Sequence, residues 1–167
     1  FTRRRTYEKK YFERRNDCSY ISIAYWLTGD EKYKNQLIDL IFHICDEFTW
    51  CVPGHAFFFD DKPTIKQMFE MVDLFQSETA RLLADIALLI GEKLPYYVND
   101  RIEYEIKRRI IEPIKSNEYH WQKPTCKTNW AAVCSGAVLA ASLILGTDED
   151  IKEILPIDDV IWEVDNK

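Results

Sequence analysis

Two stretches collect most of the residues able to do chemistry. Residues 49–61 read TWCVPGHAFFFDD and residues 116–130 read SNEYHWQKPTCKTNW, and each brings tryptophan, histidine, proline and cysteine together. His55 follows Pro53-Gly54, so a rigid bend would place its ring, either for a structural hydrogen bond or for proton transfer. His120 beside Trp121 offers the same pair of readings. Trp50 and Trp121 either pack the loops down or present ring faces to a sugar. Asp60-Asp61 suits a metal or acid/base pair, or a turn and helix cap before Pro63, and "DDKPT" lacks the third acid of a DDxxD magnesium motif. Glu78 sits in an apolar helical run, where an unpaired carboxylate is costly, so a polar partner from protein or ligand is expected. Asn129 precedes the most apolar run, as an N-cap or as an amide donor at a rim.

Cys18, Cys45, Cys51, Cys126 and Cys134 form an odd set with no CxxC or zinc-like spacing. That pattern reads first as free thiols in a reducing compartment, with one or two disulfides as the lesser reading, which favours the cytoplasm over a periplasmic or secreted setting. No metal and no cofactor are expected.

The elements that must position these residues repeat. SYISIAYWLTGDEKYKNQLIDLIFHICDEF is a helix, a Gly-Asp step and a second helix. The same plan recurs around Gly91 and Gly146, and glycine just past a helix end is the expected left-handed stop. The first helix of each unit, over 18–28, 74–90 and 130–145, is apolar nearly all round and reads as surrounded by protein. The second helices carry stripes: Tyr33, Leu37, Ile41, Ile44 and Phe48, then Val98, Ile102, Ile106 and Ile110. Their other faces are charged, with Glu103/Lys107 and Glu105/Arg109 at supportive spacing and His43 solvated.

These features predict an all-α fold, a single helical domain over 1–167 made of about three αα-hairpins in a curved array or ring. The outer helices are expected near 31–48 and 96–112. The connections, about 49–72 and 116–128, are long enough to be functional and must emerge at the same end. The chemistry-bearing residues are thereby gathered at one rim.

A net charge of −6 argues against a nucleic-acid partner. The basic run Arg3-Arg4-Arg5 is interleaved downstream with Glu8 and Glu13 and reads as a solvated face. No run approaches the roughly 20 apolar residues of a membrane span, so no membrane partner is expected. Aromatic residues make up 14% of the chain, which suits a large core or a stacking surface.

Four segments in order, TWCVPGH, DLFQSETARLLADIALLIG, RIEYEIKRRIIEPI and TNWAAVCSGAVLAASLIL, resemble the helical domain of heparinase II/III-like polysaccharide lyases, whose relatives include oligoalginate lyases. The likeness covers roughly residues 20–146. It implies part of an incomplete (α/α) toroid and the cleavage of uronic-acid polysaccharides by β-elimination. By the same resemblance Asn129 is the candidate neutraliser of the uronate carboxylate, and His55 a binding or catalytic residue. Trp50, Glu78, His120, Trp121 and Trp130 are candidate substrate contacts.

The implied partner is an acidic poly- or oligosaccharide, with self-association or the remainder of a parent chain as protein partners. Relatives carry a β-sandwich domain, and a catalytic Tyr and second His on later helices, to which nothing here corresponds. The chain therefore reads as a fragment. Thr128 stands where many relatives have a further Asn, and Trp130 where some lyases have His. Two other classes compete: an (α/α)-barrel glycoside hydrolase using carboxylates such as Asp61 and Glu78, and a non-catalytic helical module binding sugar or peptide.

Overall fold

The computed structural model describes the backbone of residues 2–59 and 61–154, with side chains except those of 2–7, 53, 58, 59, 152 and 153. Asp60 and the side chains of Arg3, Arg4 and Arg5 lie outside the described residues. The chain is all-α, with no strand among the described residues. Helix α1 (Thr2–Thr28) pairs with α2 (Glu31–Cys45), and α5 (Leu74–Ile90) with α6 (Tyr96–Ile106). A π turn over Lys107–Ile111 carries α6 into α7 (Glu112–Ser116). Helix α8 (Asn129–Leu145) lies along α5, and α9 (Asp148–Ile154) returns against α7 and α8.

The first connection is not an open loop. It holds two short helices, α3 (Pro53–Phe59) and α4 (Ile65–Glu70), and the second holds one 3-10 turn, His120–Gln122. Thr64 starts α4 with a reciprocal capping box to Gln67, which supplies the N-cap that the sequence suggested for the aspartates before Pro63.

The hairpins stack in two layers. Tyr11 meets Phe75 and Thr79 at one end of α1, while the Tyr25 hydroxyl donates to the Lys93 carbonyl (3.4 Å) at the other, so α1 and α5 run parallel. In the second layer Phe42 packs on Tyr97 and Arg101 pairs with Asp46, so α2 and α6 run parallel as well. Within each hairpin the partners are antiparallel. Arg15 reaches Glu47 across the Gly29 turn, and the Gln76 side chain reaches the Arg109 carbonyl across the next.

The amphipathic stripes face inward. Leu37, Ile41, Ile44, Val98, Ile102, Ile106 and Ile110 are all fully buried, and Lys107 and His43 are exposed. Phe48 departs from its stripe at 55% exposure, because α2 ends at Cys45 and the chain turns before reaching it. Glu105 and Arg109 also depart from the expected solvated face and are buried, 2.6 Å apart. Arg109 donates to the carbonyls of Cys45, Glu47 and Phe48, which have no further helical turn to take them, and thereby pins the end of α2. The guanidinium also lies over the Trp50 ring.

Of the three marker glycines, only Gly29 takes the left-handed conformation, at φ +67°. Gly91 and Gly146 are right-handed and extended. They are small for want of room, since an added Cβ would press on Asn99 at 91 and on the Ser142 carbonyl at 146. The first-layer helices are not enclosed all round either. Tyr20, Ile23, Trp26 and Leu27 on α1, Leu88 and Leu89 on α5, and Leu143 on α8 are exposed, all in the C-terminal halves of their helices.

Candidate functional site

The N-terminal end of α5 organises the rim. Asp73 stands before the apolar run LFQ, where an acid is a natural N-cap, and its Oδ1 accepts from the Gln76 N–H at 2.7 Å. Its Oδ2 accepts from the Val52 N–H at 3.2 Å and lies 2.7 Å from His55 Nδ1. The Asp73 side chain is wholly buried and that of His55 is 22% exposed. A carboxylate accepting from Nδ1 holds the ring proton there and leaves Nε2 as the proton acceptor. His55 is not on a free bend. It is in the first turn of α3, which opens with Pro53, so the ring is set on a helix directed at Asp73.

The second connection closes over the first. His55 packs on Trp130 with ring centroids 4.8 Å apart, and His120 packs on the same indole at 4.9 Å. Trp130 is therefore half-buried between two imidazoles, and Phe75 supports His55 from behind at 5.3 Å. Burial, and then the Lys123 charge, hold His120 below the usual histidine range and so keep it neutral near pH 7. Asn129, adjoining Trp130, is exposed in the first turn of α8. Thr128 rather than Asn129 holds the N-cap position of that helix, without a side-chain cap hydrogen bond, and Asn129 is the first helical residue.

Trp50 and Trp121 take the packing role alone. Trp50 is 0% exposed and its indole N–H donates to the Ile44 carbonyl at 2.8 Å. Trp121 is 4% exposed, donates to the Val72 carbonyl at 2.8 Å and stacks on Tyr119. Neither has a face left for a sugar. They fasten the two connections to the scaffold that Asp73 caps.

Glu78 lies away from this cluster, on the lip of a shallow groove between α1 and α5 that Tyr11, Arg15 and Phe75 also line. It was expected to need a polar partner. Its helix face is exposed instead, and it carries no hydrogen bond or ion pair among the described residues. Partial burial, followed by the Asp73 charge, raises its carboxyl above the usual range.

Asp73 was not singled out in the sequence. Its local signal, an acid before an apolar run, marks a cap and says nothing of a histidine 18 positions earlier. Among the described residues no group of three or more His, Cys, Asp or Glu is placed to hold a metal ion, and no helix is long and apolar enough to cross a membrane. All five cysteines are free thiols.

Fold and site together define a class: a two-layer stack of αα-hairpins whose rim carries a carboxylate-held histidine against a partly exposed indole. No known family model matches the chain, and no curated protein is detectably similar to it.

Proposed function

We propose that this chain is part of a lyase that cleaves uronate-containing polysaccharides by β-elimination. The observation that carries the reading is the His55 ring, oriented by a buried carboxylate and set against Trp130, next to the exposed amide of Asn129. An accessible indole face suits the C–H face of a sugar. The Asn129 amide and the N-terminal end of the 17-residue α8 provide donors for a uronate carboxylate, where charge develops as the C5 proton leaves.

In this reading His55 Nε2 takes the C5 proton. The electron pair forms the C4–C5 double bond as the C4–O4 bond breaks, and O4 leaves with a proton. Tyr11 and Tyr119 do not serve as that proton donor. Each commits its hydroxyl to a backbone carbonyl, of Phe75 and of Glu70, and burial pushes both phenols above their usual range. The donor therefore comes from outside these rim residues.

Titration with uronate oligosaccharides tests the reading. The His55 ring and Trp130 indole resonances are expected to shift together. Asn129→Ala should weaken the response at least tenfold, about 1.4 kcal/mol, without moving the melting temperature. Where turnover occurs, the product gains a conjugated double bond seen by ultraviolet absorbance. New reducing ends without that absorbance would point to hydrolysis. Silence of both rings at millimolar oligosaccharide sinks the proposal.

A further inference from the structure

The face of the first layer that points away from α2 and α6 changes character along its length. Near the rim it carries charge: Glu78 is exposed, and Arg81 pairs with Asp85 at 2.7 Å. At the far end it is apolar. Tyr20, Ile23, Trp26 and Leu27 leave α1 on one side of the helix, between 47% and 69% exposed. Leu88 and Leu89 continue the surface on α5, and Leu143 on α8. The three helices run the same way, because Phe75 and Trp130 both meet His55 near the starts of α5 and α8, and α1 is parallel to α5. These side chains are therefore brought to one end of one face.

Charge is absent from the α1 and α8 parts of that end. Residues 18–28 and the whole of α8 contain no charged side chain. Charges are exposed instead on the second layer, at Glu31, Lys32, Asp39, Asp100, Glu103 and Lys107. At the exposures given, the seven apolar residues present roughly 800 Å². That is more than the largest patch of a typical monomer and close to one partner's share of a standard interface.

The place of the patch narrows what covers it. A further hairpin of the array would stack beside α8, next in the row, and leave the outward face open. A charged partner finds no counter-charge here. A second copy fits on both counts. Its own patch is equally apolar and of the same area, and the net charge of −6 that makes copies repel is held on other surfaces. We infer that the chain self-associates through this patch, as a two-fold dimer with the C-terminal halves of α1 and α5 antiparallel to those of the second copy. A two-fold axis running across the helices pairs the patch with itself, as an isologous interface requires. A parallel arrangement would bring the charged halves together, Glu78 with them. The antiparallel one sends the two rims to opposite ends, so His55 and Trp130 stay open in both copies. This dimer is independent of what the rim binds.

Sedimentation velocity of the whole chain over a dilution series tests for it. A dimer with a dissociation constant of about 10 µM or tighter is expected. Leu27→Glu and Leu88→Glu, both at strongly exposed side chains, should each weaken association at least tenfold and leave the helical circular dichroism of the monomer unchanged. Glu103→Lys on the second layer should leave association as it was. High salt should not loosen a contact made by apolar burial. A chain that is monomeric at about 200 µM overturns the inference. If that monomer sediments with phosphatidylcholine vesicles, the patch belongs to a lipid surface. A dimer that both leucine variants leave intact, or that Glu103→Lys or high salt dissociates, has its interface elsewhere and overturns the inference as well.

Discussion

Asp73 ties four parts of the rim to one side chain: the first turn of α5, the backbone at Val52, the His55 ring and, through that ring, Trp130. Asparagine separates these roles. It caps helices about as well as aspartate, and its Oδ1 can keep the Gln76 N–H. Its Nδ2, however, puts a donor where His55 Nδ1 and the Val52 N–H now find an acceptor. In Asp73→Asn the imidazole must therefore accept at Nδ1 and carry its proton on Nε2, losing the proton-acceptor position directed away from Asp73. Ring ¹⁵N shifts should report the Nδ1–H tautomer in the parent chain and the Nε2–H tautomer in the variant. The unmatched Val52 N–H should cost about 1–3 kcal/mol of stability. An Nε2–H ring in both proteins would show that Asp73 does not orient His55.

At the scale of the element, α6 shows how two adjacent residues differ through their facing alone. Ile106 is fully buried, and Lys107, where the π turn begins, is exposed. Ile106→Asp places an unpaired carboxylate among apolar neighbours and should cost about 4 kcal/mol or more, whereas Lys107→Asp should stay within about 0.5 kcal/mol. Urea unfolding of the two variants measures the difference, and matching midpoints would show that the stripe is misassigned. The π turn itself serves the rim. The Arg109 carbonyl within it accepts from Gln76 Nε2 at 2.7 Å, joining α6 to the same first turn of α5 that Asp73 caps. The buried Glu105–Arg109 pair then holds α2 to that junction.

At the scale of the whole molecule, the thiols report how much of the chain opens together. Burial pushes Cys18, Cys45 and Cys134 up to about 12 and raises Cys51 as well. Cys126 is different. Hydrogen bonds from the Thr128 hydroxyl and nearby backbone amides hold its thiol below the usual range, and it is only half-buried. The thiolate is the reacting form, so a disulfide reagent near neutral pH should label Cys126 rapidly and the other four only as the fold opens. Mass spectrometry during a labelling time course distinguishes the five. Early labelling of Cys51 would show that the first connection opens independently of the hairpins, and that the His55 platform is not rigid.

The sequence by itself determined the local architecture. Apolar residues at helical spacing, with glycines at the turns, identified the hairpins, the outer-helix stripes and the bounds of α5, because these depend on residues a few positions apart. Tertiary structure decided the rest. Trp50 and Trp121 have the same composition cues as Trp130, yet a nearby carbonyl, of Ile44, and a distant one, of Val72, claim their indoles, and of these three Trp130 alone keeps an accessible face. Glu105 and Arg109 look like a surface pair until the end of α2 supplies three carbonyls to bury them. Asp73 reads as a cap until α3 brings His55 to its second oxygen. Periodicity records which side of a helix is buried. It does not record which distant group meets that side, and the rim depends on such meetings.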